Sequence, residues 1–210
     1  MEYNGIPIFN ITLDDEDCKL ICNSIVDEPA VMHNALFFSE DKKPLLFKID
    51  NEDERIITGV SMIADTPIYR FDPTFGGYYV VFQKDTIKQL VERYAKDGYN
   101  NLVTYQHNGE YVKGFTMIES YFIDKERNIA PIEFQDVPDG SWITSYKVDD
   151  INTGNMIKND ENFNGFSVEC EVALTPAMEG QKMEKPIEVQ EEDNEWEEFL
   201  RWLLGVEYAI

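Results

Sequence analysis

The side chains best suited to covalent chemistry in this 210-residue chain are an imidazole and a hydroxyl. The imidazole is His107, in Thr104-Tyr105-Gln106-His107-Asn108-Gly109, where an apolar β-run stops at a turn. The hydroxyl is Ser167, in Asn164-Gly165-Phe166-Ser167-Val168-Glu169, sixty positions on, near the start of another apolar run. A serine hydroxyl is a weak nucleophile at neutral pH and needs an adjacent base, which is usually imidazole. The order His then Ser, on two separate strands, is one of several orders that build such a dyad. Spacing alone leaves plainer readings open: His107 as a surface turn histidine, Ser167 as a small buried strand residue. The chain has one other histidine, His33, in a loop-like stretch that suits a surface role.

The elements that must position these groups are mostly strands. Ile6 to Leu13, Leu45 to Ile49, Arg55 to Ile63 and Tyr78 to Phe82 read as strands from their β-branched and aromatic residues. An acidic turn, Asp50 to Glu54, separates the second and third of these. Ser24 to Val31 reads as a short segment turning at Pro29, and Asp65 to Arg70 as an ordered loop. Strands resume over Leu102 to Gln106, Val112 to Ile123, Trp142 to Val148 and Phe166 to Leu174, with a turn at Asp139-Gly140. One helix is clear. Ile87, Leu90, Val91, Tyr94 and Ala95 make an apolar stripe at helical spacing; Lys84 or Asp85 opens it, and Gly98 closes it as a left-handed cap. Met156-Ile157-Lys158 suggests a short second helix. The pattern predicts a mainly β fold with flanking helices (α+β), closed or nearly closed and antiparallel.

Composition narrows the setting. The net charge of −23 argues against direct nucleic-acid binding, which needs clustered Lys and Arg. No run of 18 apolar residues predicts a membrane span, and Met1-Glu2-Tyr3-Asn4-Gly5 does not read as a secretory signal. Cys18, Cys22 and Cys170 match no metal-ligand spacing with histidine, and read as reduced, inert cytosolic thiols. Neither metal nor cofactor is expected. Seven of the eleven residues from Glu188 to Glu198 are acidic and none is basic, the composition of a solvated linker or tail. Beyond it Trp196, Phe199, Leu200, Leu203 and Leu204 return to helical spacing, and Asn194 with Glu197 resembles a capping box. The expected organisation is a β domain over 1–178, an acidic linker over 179–193 and an amphipathic helix over 194–210. That helix either folds back on the domain or docks on a partner.

Five segments, taken in order, resemble a family. They are Val26-Asp27-Glu28-Pro29-Ala30; Asp65-Thr66-Pro67-Ile68-Tyr69-Arg70; the His107 turn with Gly114 and Ile118-Glu119-Ser120; Gly140-Ser141-Trp142 with Lys147-Val148; and Gly165-Phe166-Ser167-Val168-Glu169. Together, over roughly residues 20 to 175, they resemble the phage serine proteases of prophage and tailed-phage head gene clusters, within the prohead (head maturation) proteases. The resemblance implies a β-barrel shared with herpesvirus assembly proteases, acting without a cofactor. It implies an enzyme working inside the procapsid, in the host cytoplasm, that trims capsid and scaffold proteins and often itself. Carried over, His107 is the general base, Ser167 the nucleophile and Glu119 the orienting third residue. The family has a small residue after its Ser-Val/Ile-Glu run, where this chain has Cys170.

The residues themselves leave alternatives beside that reading. Glu119, on a strand face with Met117 and Tyr121, is equally a salt-bridged structural carboxylate, and Asp149 and Asp150 compete for the third place. Gly165 suits a bend or bulge better than an oxyanion donor. Tyr69-Arg70 is either a substrate contact or a structural arginine paired with a carboxylate.

Overall fold

Most of the β-branched and aromatic runs form strands in the computed structural model, which describes residues 1–14, 18–26, 29, 47–51, 55–159 and 165–184. Three sheets result. The first runs β1 (Glu2–Tyr3), β2 (Ile6–Thr12), β7 (Gly76–Val81), β6 (Pro67–Asp72), with β12 (Ala173–Pro176) also paired to β2. The second has the order β4 (Phe47–Asn51), β5 (Ile56–Met62), β10 (Trp142–Val148), β9 (Phe115–Phe122). The third is β11 (Gly165–Glu171), β3 (Lys19–Val26), β8 (Val103–Tyr105). Helix α1 (Lys84–Lys96) lies between β7 and β8, and α2 (Ile151–Asn159) between β10 and β11. The chain is thus mainly β with flanking helices.

Four expectations need correction. The sheets are not wholly antiparallel: β2 pairs β7 in parallel, and so does β3 with β8. Parallel neighbours require a crossover, and α1 lies within the one that joins β3 to β8. Asp65 to Arg70 is not a loop. Its proline opens edge strand β6, a place where a missing N–H costs little, and Pro67 to Asp72 pair with Val81 to Gly76. The run Phe166 to Leu174 is two strands, because the chain leaves β3 after Glu171 and joins β2 at Ala173. Finally, Lys19–Val26 is a full strand where only a short turning segment was expected. Asn23 and Ser24 interrupt its apolar pattern, yet both are fully buried.

The helix expectation fits except at Ala95, which is exposed. Ile87, Leu90, Val91 and Tyr94 pack with Leu20 of β3, Val60 and Met62 of β5, and Trp142 and Ile143 of β10. Gly98 takes φ +74°, and Tyr99 N–H returns to Tyr94 O at 3.2 Å, as in a Schellman end. A second core joins the third sheet to the second: Phe166, Ile25 and Val103 meet Ile57, Phe115, Tyr146 and Val148. Tyr146 OH accepts Asn23 Nδ2–H at 2.7 Å, which accounts for one of the buried polar residues in β3.

Residues 179–184, expected to begin the linker, are tied to the domain. Gln181 and Asn10 exchange amide bonds of 2.8 and 2.7 Å, and Glu184 N–H donates to Asp65 O at 2.8 Å. His33, most of the acidic segment and residues 194–210, where an amphipathic helix is expected, lie outside the described residues.

Candidate active site

Alternation along the third sheet creates a polar face. Side chains of a strand point to opposite faces in turn, so Phe166, Ile25 and Val103 facing the core send their neighbours the other way. Register then aligns them. Ser167 pairs with Ser24, and Ser24 with Thr104, so three hydroxyls form one row across three strands. Beside them in the next row stand Glu169 and Cys22, also a registered pair. Ser24, Thr104 and Cys22 are fully buried, and Ser167 is 9% exposed.

His107 enters from the end of β8. The turn closes with Asn108 N–H to Tyr105 O at 2.9 Å, and Gln106 and His107 both have positive φ, +48° and +52°. Such consecutive left-handed residues are sparsely populated, and side chains other than glycine adopt them at a cost. The surrounding bonds hold them there. Gln106 N–H donates to Ile25 O at 3.0 Å, and His107 N–H donates to Ser24 Oγ, also at 3.0 Å. Ser24 Oγ in turn donates to Thr104 O at 3.3 Å. Its proton and an acceptor site are therefore used by the backbone, and among the described residues Ser167 is the hydroxyl of that row without a hydrogen-bond partner.

The turned imidazole meets a carboxylate. His107 Nδ1 lies 3.1 Å from Glu169 Oε1, and Thr104 Oγ1 donates to that same oxygen at 2.9 Å. Partial burial pushes the Glu169 carboxyl upward, but hydrogen bonds from Thr104, His107 and Cys22 and the attraction of His107 outweigh it, so its pKa falls below the ordinary range. A carboxylate on Nδ1 keeps that nitrogen protonated and leaves Nε2 to accept a proton. Glu169 and Ser167 are two residues apart on one strand and share a face. The sheet thus places hydroxyl, imidazole and carboxylate on one surface, with the base half-exposed.

Glu119 sits elsewhere. It lies on β9, where Ser145 Oγ donates to its Oε2 at 2.6 Å and Thr58 Oγ1 donates to Ser145 Oγ at 2.9 Å. The carboxylate on His107 belongs to Glu169, in the same Gly165-to-Glu169 segment as Ser167 and not among the carboxylates expected from the sequence. A period-two reading of Ser167-Val168-Glu169 points to it. Asp149 N–H donates to Gly114 O. Asp150 caps α2 by accepting Thr153 N–H at 2.7 Å, and that bond lowers its pKa. Neither aspartate bonds His107.

Gly165 is not a bulge: it pairs with Val26 in regular register. A Cβ there would lie 2.6 Å from Pro29 Cγ, so the site demands glycine for close approach. Among the described residues Arg70 donates to a backbone carbonyl, Tyr69 O at 2.9 Å, and burial lowers its pKa. It lies near Cys170, whose side chain points away from the Ser167 face, so Arg70 is not part of the cluster.

Among the described residues no three His, Cys, Asp or Glu side chains are grouped to hold a metal ion, and no helix is long and apolar enough to cross a membrane. Compared with models of protein families, with curated proteins and with solved structures, the chain matches none.

Proposed function

We propose that the chain is a serine endopeptidase of the prohead maturation type. The observation that carries this reading is the His107–Glu169 contact on the strand face that also bears Ser167. In the proposed reaction Ser167 Oγ attacks a peptide carbonyl carbon while His107 Nε2 takes its proton. Collapse of the tetrahedral intermediate breaks the C–N bond, and the imidazolium gives that proton to the leaving amine. Water, deprotonated by the same nitrogen, then cleaves the acyl ester and restores the serine. Glu169 holds Nδ1–H and stabilises the imidazolium between these steps.

On this reading the three sheets are parts of a barrel of the herpesvirus-assemblin kind. The substrates are phage capsid and scaffold proteins, and the chain itself, inside the procapsid in the host cytoplasm. Residues 194–210 dock the enzyme on the capsid, the scaffold or a second copy. Deleting residues 188–210 then spares cleavage of a short peptide and reduces packaging into proheads; a truncation that unfolds makes the segment core instead.

One observation favours a second reading, a virion or scaffold-associated protein that retains the protease fold without activity. Ser167 is almost covered, and no hydrogen bond joins its hydroxyl to His107. Catalytic bonds often tighten only when substrate arrives, so the two readings part by experiment. A fluorophosphonate probe should acylate wild-type protein at Ser167, mapped by peptide mass spectrometry, and leave Ser167→Ala unlabelled. Ser167→Ala should also abolish processing of co-expressed capsid or scaffold protein. An unlabelled, folded wild type would overturn the enzyme reading.

A further inference from the structure

Glu169 reaches His107 on a flexible side chain with three rotatable bonds, and such a carboxylate orients an imidazole only if it is itself held. Thr104 is placed to hold it. Its side chain is fully buried and β-branched, hence stiff at χ1. A threonine hydroxyl has one proton to give, and this one goes to Glu169 Oε1 at 2.9 Å, the oxygen that also faces His107 Nδ1. Behind Thr104 Oγ1, at 3.8 Å, lies the thiol of Cys22. Burial pushes that thiol up to about 12, so it keeps its proton at neutral pH. Thr104 O–H and His107 Nδ1–H thus converge on one oxygen, Glu169 Oε1, and the thiol of Cys22 stands beside both Thr104 and Glu169. Thr104 and His107 leave the same short strand three residues apart, so one backbone segment supplies both the base and the group that fixes its carboxylate.

We infer that Thr104 is a positioning residue, whose hydroxyl fixes Glu169 so that the carboxylate holds His107 as the Nδ1–H tautomer. Its effect on a reaction rests on the endopeptidase reading; its effect on the imidazole does not.

The test uses the full chain, labelled with ¹⁵N at histidine. There are only two histidines, and His33→Gln identifies the resonances of His107. In wild type the neutral His107 ring should show a protonated Nδ1 and a bare Nε2. Thr104→Val keeps the shape and deletes the proton donor, and should move the ring toward the Nε2–H form that an unconstrained histidine side chain prefers. Thr104→Ser, which keeps the hydroxyl, should restore the wild-type nitrogens. Fluorophosphonate acylation should fall about 10- to 100-fold in Thr104→Val, the loss expected of one hydrogen bond to a charged group, and recover in Thr104→Ser. Wild-type nitrogen shifts in a folded Thr104→Val protein overturn the inference. So does a Thr104→Ser protein that behaves like Thr104→Val, since methyl packing would then be the cause. If Thr104→Val does not fold, Thr104→Ala is read in the same way. A tautomer shift in a protein that no probe acylates supports the positioning role and overturns the endopeptidase reading alone.

Discussion

Replacing Glu169 by glutamine, with Glu119→Gln as its partner experiment, decides which carboxylate serves His107. The change is nearly isosteric, so it isolates charge and hydrogen-bond direction. Glu169 Oε1 accepts from both Thr104 and His107. A bond to a charged group contributes about 1.5–3 kcal/mol and a neutral one about 0.5–1.5, so neutralising the acceptor of two bonds should cost about 2 kcal/mol. For a chain of this size that lowers Tm by roughly 4–8 °C. The kinetic loss should be larger. If the amide turns its N–H toward Nδ1, the proton must sit on Nε2, which then cannot accept one from Ser167. The best-studied swap of this kind costs about 10⁴ in turnover, so a fall of about 10³ to 10⁴ in the acylation rate is expected. Glu119→Gln weakens the bond from Ser145 instead; it should cost about 1 kcal/mol of stability and leave acylation unchanged. The assay is the second-order rate of fluorophosphonate labelling, read beside thermal unfolding of each variant. Equal rates for wild type and Glu169→Gln, or a loss confined to Glu119→Gln, would refute the assignment.

Three further outcomes follow from the same contacts. The Glu169 carboxyl is held below its ordinary range, so its stabilisation is present above about pH 4.3 and disappears as pH falls through the lowered folded value. In denaturant titrations the stability gap between wild type and Glu169→Gln should therefore narrow on acidification below that range, and a widening gap contradicts the sign. Burial raises the Cys22 thiol to about 12 and the Cys170 thiol to about 11; iodoacetamide at pH 8 should leave both unmodified in native protein and alkylate both in guanidinium, as mass spectrometry would show. Trp142 is fully buried, packs edge-on against Tyr94 at 5.8 Å and donates Nε1–H to Ser120 Oγ at 2.9 Å. Trp142→Ala should cost about 3–5 kcal/mol, and a loss under about 1 kcal/mol in denaturant titration would mean that this ring does not key the core.

The parts of the fold that were legible in the sequence are those whose physics is local. The stripe from Ile87 to Tyr94 and the positive-φ glycine at position 98 depend on neighbours a turn away, and both read directly. The strand Trp142–Val148 reads as well, because five of its seven residues, Trp142, Ile143, Thr144, Tyr146 and Val148, are aromatic or β-branched. Strand Lys19–Val26 did not read, and the reason bears on the site. Its Ser24 accepts the His107 N–H, its Cys22 lies behind Thr104, and its Asn23 donates to Tyr146 on the other face. Each of those bonds answers to a partner more than 80 residues away, so nothing in the local pattern announces them. The same long range hid the carboxylate. The family resemblance points to Glu119, on the strand after His107, whereas Glu169 is brought to the imidazole by antiparallel pairing of β11 with β3 and parallel pairing of β3 with β8. What decides the site is therefore register. Moving β11 by one residue along β3 would send Ser167 and Glu169 to the core face, and Phe166 within the core and Gly165 against Pro29 fix that register. The apolar residues between the polar ones thus specify the geometry as firmly as the polar residues supply the chemistry.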